Sequence, residues 1–511
     1  MRIDTGRDRD ERPFEDDTAR MSLRRLASIA GICTALALSS VAAATPSLAL
    51  TAPGTTSLSA APFTVGTGTY PTTVATAAGG IVTYNYATPG FTFGPNRIGV
   101  CTLTAGLRKC AHTTALVYPF GSGALQDNPA AVFVSGSTVK VAAAGDSITG
   151  DPGSSDRVVV WTSTDGGVTF GSPVNLGLTS TNYGGLTFSR DASTVYTWTS
   201  GCGCGTAINA LPTDGSAASL TTYKTIITAA DQLGTIRGEI QVLPDGGLLL
   251  TASNFTPTVD VFWLHAGHNP LDPAQWSKVA TVGNAEFLAL AGTGLVSGPG
   301  TTASRVFLLV TNHTSGALVV QRWTGSGFVA AGSIPRGRGD ASGAADGLGR
   351  LHAFYEPVSG FDQVVTSVGN GSYPKPTTAV GPKGALAAAQ SSVSLVGAGA
   401  GWFAFTDIGA SNTLKIVPLL QAHRITGPAL VRIAKKHISV ISGRVLTGRV
   451  GMTVTLNLVV HGTVGKAVGH VKLKAGLAYV FTLPAKTKGT FAVVAPAVAY
   501  FATTATKAVK V

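Results

Sequence analysis

From Tyr70 onward the chain repeats one phrase of apolar and polar positions. Each phrase opens on polar residues, enters a short apolar run, turns at Gly or Asp-Gly, returns as a second run, and adds two more after a loop. The openings fall near Tyr70, Asn128, Tyr183, Arg237, Glu286, Asp340 and Ala385, about fifty residues apart. The clearest predicted hairpins span residues 239–251 around Pro244-Asp245-Gly246-Gly247, 186–198 around Asp191, and 341–355 around Asp346-Gly347. Outside the first fifty residues no helical period is sustained, so the chain reads as all-β.

Four strand slots in a period of about fifty residues match a β-propeller blade. The repeats predict seven blades over residues 62–420, with six as the rival count because the first repeat is the least regular. The seventh repeat has room for only three strands before Arg424, and residues 62–68 can supply the fourth from the other end of the chain. Such closure leaves no open edge. After residue 425 the alternation changes beat. About seven short strands in residues 425–511 predict a small β-sandwich, similar in pattern to bacterial immunoglobulin-like modules although it has neither Cys nor Trp.

The first 49 residues read differently. Arg24 and Arg25, the apolar stretch Leu26 to Leu38, and small residues ending at Ala44 or Ala49 form a secretory signal peptide. The densely charged stretch before Met21 points to Met21 rather than Met1 as the start of translation. The competing reading is a cytoplasmic tail ahead of a membrane anchor, for which the apolar run is short. Cleavage leaves no transmembrane span, and the expected location is extracellular or cell-envelope associated.

Charge divides the chain. Residues 51–424 are balanced, whereas residues 425–511 hold nine Lys and three Arg and no acid. Such a segment attracts polyanions and releases them in high salt. For an exported protein the partners are cell-wall polymers, anionic lipid or acidic glycans, with no nucleic acid expected. The competing reading is a merely solubilising surface. Overall, 44% hydrophobic and 12% charged residues fit well-packed globular structure rather than disorder.

Four cysteines follow the signal. Cys101 and Cys110 flank Thr104-Ala105-Gly106-Leu107, so a hairpin turning there sets them opposite each other as a disulfide. Cys202 and Cys204 define a tighter, strained ring, and a constrained loop there outweighs a redox or metal role. Asp146, Asp151 and Asp156 stand five apart in a Gly- and Ser-rich loop. Their oxygens can hold calcium, although the spacing fits no calcium motif and a solvated loop is the plainer reading. No other cofactor is expected. His265 and His268 have zinc-compatible spacing without a visible third ligand, which reads as a surface turn.

One motif is sharp. Ser163-Thr164-Asp165-Gly166-Gly167-Val168-Thr169-Phe170 follows the strand Val158 to Trp161 and resembles the Asp-box of the sialidase superfamily and other secreted propellers. In that motif Ser163, Asp165, Gly167, Thr169 and Phe170 staple a turn between third and fourth strands and perform no chemistry. A sialidase would also imply three arginines around a carboxylate, a tyrosine-glutamate pair and an acid/base aspartate. Here Arg97, in Asn96-Arg97-Ile98-Gly99, lacks the family's following proline. Arg237 with Glu239 is the best-placed pair, Tyr355-Glu356 supplies a tyrosine and an acid, and the full set does not assemble.

Ligands of propellers use the rim where loops join fourth to first and second to third strands. That rim is expected to bring Arg97, Asn128, Tyr183, Arg237, Glu239, Glu286, Arg338, Asp340 and Glu356 to a central funnel. This mixture suits a polar ligand such as a glycan; the competing reading is polar residues that only hydrate a channel. The expectation is a non-catalytic exported propeller that binds a glycan or other surface ligand and is retained at the envelope by its basic module. The alternatives are a sialidase-like exo-glycosidase and a structural surface protein without a ligand.

Overall fold

The computed structural model describes residues 56–57, 62–87, 96–105, 108–120, 125, 129–145, 156–179, 185–200, 206–216, 224–227, 240–254, 258–291, 306–312, 314–334, 337–357, 364–369, 373, 378–380, 391–397, 399–407, 412–423, 425–433, 437–448, 450–497, 501–502 and 504–511. The signal-peptide reading and the Cys202–Cys204 pair lie outside these residues. Among the described residues the fold is all-β, with one 3-10 turn at Pro273–Gln275 and no helix long and apolar enough to cross a membrane.

Small antiparallel sheets follow one another along the chain. The first sheet is Thr69–Thr76, Gly79–Tyr86, Arg97–Thr104 and Cys110–Val117, hydrogen-bonded in that order. The second sheet spans Ala131–Ser135 to Val174–Thr179, the third Gly185–Phe188 to Lys224–Ile227, and the fourth Ile240–Val242 to Trp276–Gly283. The fifth runs from Ala285–Ala291 to Phe328–Ile334 and the sixth from Gly337–Ala345 to Thr378–Val380. The seventh comprises Ser391–Val396, Ala400–Asp407 and Thr413–Ala422, and its fourth place is taken by Phe63–Thr67 from the start of the chain.

Burial explains why these strands read as apolar runs rather than strict alternation. Each second strand lies between two neighbouring sheets and is covered on both faces, so Ala400–Asp407 is buried at every position. The outermost strand Cys110–Val117 is mostly exposed. Apolar clusters fill each gap between consecutive sheets. Trp198 and Ile208 of the third pack on Leu248 and Leu250 of the fourth, and Phe354 of the sixth stacks on Phe403 of the seventh at 4.5 Å. The last gap closes back on the first sheet, where Trp402 and Ile416 meet Val82 and Tyr84, and Trp402 Nε1 donates to the Gly79 carbonyl at 3.2 Å. One glycine is forced by this packing: a Cβ on Gly99 would stand 2.2 Å from the Tyr84 ring.

Beyond Arg424 two further sheets form. Ala429–Ile433, Ile438–Arg444 and Ala478–Pro484 make a three-stranded sheet, and Thr453–Val460, Thr463–Lys472 and Thr490–Ala495 lead a five-stranded one. Ile441, Leu456, Tyr479, Phe481 and Val493 share one core between them. Phe501–Ala502 pairs in parallel with Gln421 and Ala422 of the seventh sheet. At this seam the buried His423 ring stacks on Phe501 at 4.8 Å and bonds Thr447 Oγ1 and the Pro496 carbonyl. Desolvation holds its pKa below the ordinary value against the opposing effect of that carbonyl.

Cys101 and Cys110 form a disulfide with Cα atoms 5.3 Å apart. They are not the opposed pair expected from the hairpin. Cys110 faces Leu103 and Cys101 faces Thr113, because the register shifts between Thr102 and Leu103. The bond therefore runs diagonally across the third and fourth strands. Closing this short loop restricts the unfolded chain, so a Cys101→Ser/Cys110→Ser protein is expected to lose about 2–3 kcal/mol of stability in urea unfolding, and an unchanged midpoint would contradict the assignment.

Candidate functional site

In a meander of four antiparallel strands, the turns between strands one and two and between three and four lie at one rim. The chain starts each first strand at the other. Three first strands begin with a break in register at this starting rim. In the first sheet it falls between Thr69 and Thr72, with Tyr70 at φ 51°; in the fifth between Ala285 and Phe287; in the sixth between Arg338 and Ala341. A bulge re-aims the residue it contains. Glu286 and Asp340 both occupy such breaks, on first strands that pack against each other.

The rim collects several of the residues singled out from the sequence. Arg338 and Glu356 are register partners on the first and second strands of the sixth sheet. Arg97 opens the third strand of the first sheet, opposite Tyr86 and Val117, and is half-buried with its Nε lacking a hydrogen-bond partner among the described residues. Asn128, Tyr183, Arg237 and Glu239 lie outside the described residues.

One polar group at this rim was not foreseen. Asn284, just before the fifth first strand, donates from Nδ2 to Thr314 Oγ1 at 2.9 Å and to Asn312 Oδ1 at 3.3 Å, tying the strand opening to the second-to-third loop. The signal available was the placement of Asn284 beside Glu286, which the repeat pattern passed over. Hydroxyls stitch the innermost strands together. Ser392 and Ser394 accept from the amides of Thr73 and Ala75, and Ser391 donates to Ser342 at 2.9 Å. Asp407, also at this rim, is ion-paired with Lys415.

Tyr355 does not belong to the site. It is buried among Phe307, Leu309 and Leu318 between the fifth and sixth sheets, and burial pushes its hydroxyl up to about 12. A nucleophilic tyrosine needs the opposite shift. Its neighbour Glu356 is on the other phase of the same strand.

At the turn rim, carboxylates are consumed by their own turns. Asp165 Oδ1 accepts from the amides of Val168 and Thr169 at 3.0 Å, Oδ2 accepts from Thr169 Oγ1, and Ser163 Oγ donates to Oδ1 at 2.7 Å. These bonds hold the Asp165 carboxyl well below the ordinary range, the Thr169 hydroxyl most of all. Gly167, at φ 90°, lets the turn lie against Ile81 of the first sheet, and Phe170 packs on the same inter-sheet core. Asp191 repeats the device in the third sheet, where Ser189 and Ser193 bring it to about 2. Asp346 is fully buried. Desolvation alone would raise it, but His352 Nε2 at 2.9 Å and the amide and guanidinium of Arg350 bring it to about 2. Carboxylates held ionised in this way are poor general acids.

Among the described residues no group of three or more His, Cys, Asp or Glu converges as metal ligands would. His265 and His268 are exposed, with ring centroids 5.4 Å apart, and the His265 ring lies tilted against Trp263. Of the calcium candidates, Asp146 and Asp151 lie outside the described residues, and Asp156 starts the third strand of the second sheet.

No family model matches the chain, and no curated protein matches it. Solved structures resemble it at low score. A fungal alcohol oxidase of the AA5 family in complex with copper gives a TM-score of 0.42 at 10% identity over 90% of this chain and 99% of its own. A Dyadobacter fermentans protein of unknown function gives 0.39 at 11% identity over 70% and 96%. An Aleuria aurantia lectin in complex with Fucalpha1-6GlcNAc gives 0.36 at 11% identity over 69% and 95%. Scores of this size establish no shared activity.

The Asp346 pKa has a consequence in acid. A carboxylate held below its unfolded value stabilises the fold above about pH 4 and loses that contribution as the pH falls towards 2. Asp346→Asn is therefore expected to flatten the fall of the urea midpoint between about pH 4 and 2 relative to the unmodified protein, and an equal fall in both would contradict this role.

Proposed function

We propose that this chain is an exported seven-bladed β-propeller, with an Asp-box in its second blade and a basic immunoglobulin-like β-sandwich at its C-terminal end. We assign residues 62–420 to the propeller and 425–511 to the sandwich. Its starting rim binds a glycan or another polar ligand of the cell surface, without catalysis, and the basic module retains it at the envelope. Residues 1–49 supply the export signal on this reading. Cyclic packing from the first sheet to the seventh and back supports the blade count.

The observation that carries the binding role is the recurrence of bulges at the starting rim, where Glu286, Asp340 and the Arg338–Glu356 pair stand on neighbouring sheets. Two acids and an Arg–Glu register pair on neighbouring sheets are residue types that suit ring hydroxyls, which both donate and accept. The sialidase alternative draws support from the Asp165 turn, whose bonds have the pattern of an Asp-box. That turn lies at the opposite rim, however, and Tyr355 is unfit as a nucleophile.

A glycan array probed with the mature protein tests the proposal. Selective binding is expected, weakened about tenfold or more by Arg338→Ala through loss of charge-assisted hydrogen bonds. Absence of any glycan binding would contradict it, and turnover of a fluorogenic sialoside that is lost in Arg237→Ala would replace it with the glycosidase reading.

A further inference from the structure

The three-stranded sheet of the basic module has two unlike faces. Leu430, Ile441 and Phe481 point into the core shared with the five-stranded sheet. The alternate positions face outwards, in rungs fixed by the register: Ile433 beside Ile438 and Pro484, Val431 beside Val440 and Thr482, Ala429 beside Ser442 and Val480. The solvent face of a one-sided antiparallel sheet is ordinarily polar. These three rungs contain no charged residue, and Val431 and Val480 are 52% and 54% exposed.

Cations bracket this face. Arg444 is in phase with Ile438 and Val440 at one end, in register with Ala478, and exposed. At the other end the Ala485 amide donates to the His437 carbonyl at 2.8 Å, and the exposed Lys486 follows in the turn two residues after Pro484 of the Ile438 rung. The whole segment from Ile425 to Val511 supplies twelve Lys and Arg and no acid to pair with them.

We infer that this face docks the protein onto an anionic lipid surface. The inference rests on the retention reading of the module and names its partner. Three occupants compete, and charge together with polarity separates them. A second copy of this chain would bring the same acid-free, basic segment and be repelled. A hydrated wall polyanion would match the charge but leave the valines in water. A bilayer rich in anionic headgroups meets both demands: headgroups pair with Arg444 and Lys486, while Val431, Val440 and Val480 enter the boundary with the acyl chains.

Sedimentation of the mature protein with phosphatidylglycerol–phosphatidylcholine vesicles tests this, with phosphatidylcholine vesicles and soluble polyphosphate as separate probes. Binding to the anionic vesicles is expected, with little to the neutral ones. Val431→Ser/Val480→Ser alters two exposed side chains and is expected to weaken vesicle binding about tenfold while leaving polyphosphate binding unchanged. Lys486→Gln/Arg444→Gln is expected to weaken both. Equal vesicle binding by the valine variant, or binding to polyphosphate but not to vesicles, would overturn the lipid assignment while leaving polyanion retention standing. Binding to none of the three would sink both. Self-association that the valine variant abolishes would identify a second copy as the occupant instead.

Discussion

The structure depends on one pairing: Phe63–Thr67 against Thr413–Ala422. Every sheet of the cyclic series has apolar residues on both faces and needs a neighbour on each side. The seventh can be satisfied only if it meets the first. The early strand completes its ladder, pairs with the stretch from Thr413 to Ile416, and fixes the seventh sheet against Val82 and Tyr84. Two side chain-to-backbone bonds, from Trp402 to Gly79 and from the amide of Ala75 to Ser394, repeat the closure closer to the axis. A rim with residues from successive sheets exists only because this join holds them in place.

Much of this was legible in the sequence because burial on two faces leaves a mark. The second strands stand out as apolar runs, and turns such as Pro244-Asp245-Gly246-Gly247 mark where they reverse, with the Asp245 carboxylate accepting from the Gly247 amide. The shortness of the last repeat pointed to the start of the chain. Register was not legible. The shift between Thr102 and Leu103 moves Cys110 away from the position opposite Cys101, and no residue type announces it. The breaks that hold Glu286 and Asp340 were equally silent, since a bulge is set by how two strands twist together. Tyr355 misleads for a related reason: on a strand covered on both faces, an aromatic next to an acid is ordinary core.

The two rims divide the polar residues by use. At the turn rim Asp165, Asp191 and Asp346 have their oxygens occupied by amides, hydroxyls and a histidine, so their charge is spent on the fold. At the starting rim the Arg97 Nε has no hydrogen-bond partner among the described residues, and Glu286 and Asp340 sit at breaks in register. The sequence motif that most resembles an enzyme family thus marks the rim least suited to chemistry. The C-terminal module adds a third kind of surface, where exposed cations of an acid-free segment and exposed valines occur together.

The closure itself is open to direct measurement. Thr67 and Thr413 are register partners across the join, with Thr67 exposed. In a Thr67→Cys/Thr413→Cys protein, mild oxidation followed by peptide mapping is predicted to find these two positions joined in the folded protein, with a higher melting temperature than in the reduced form. Thiols that stay free under conditions that oxidise accessible cysteines, or a cross-link that forms only after unfolding, would contradict a ring closed by its own N-terminal strand.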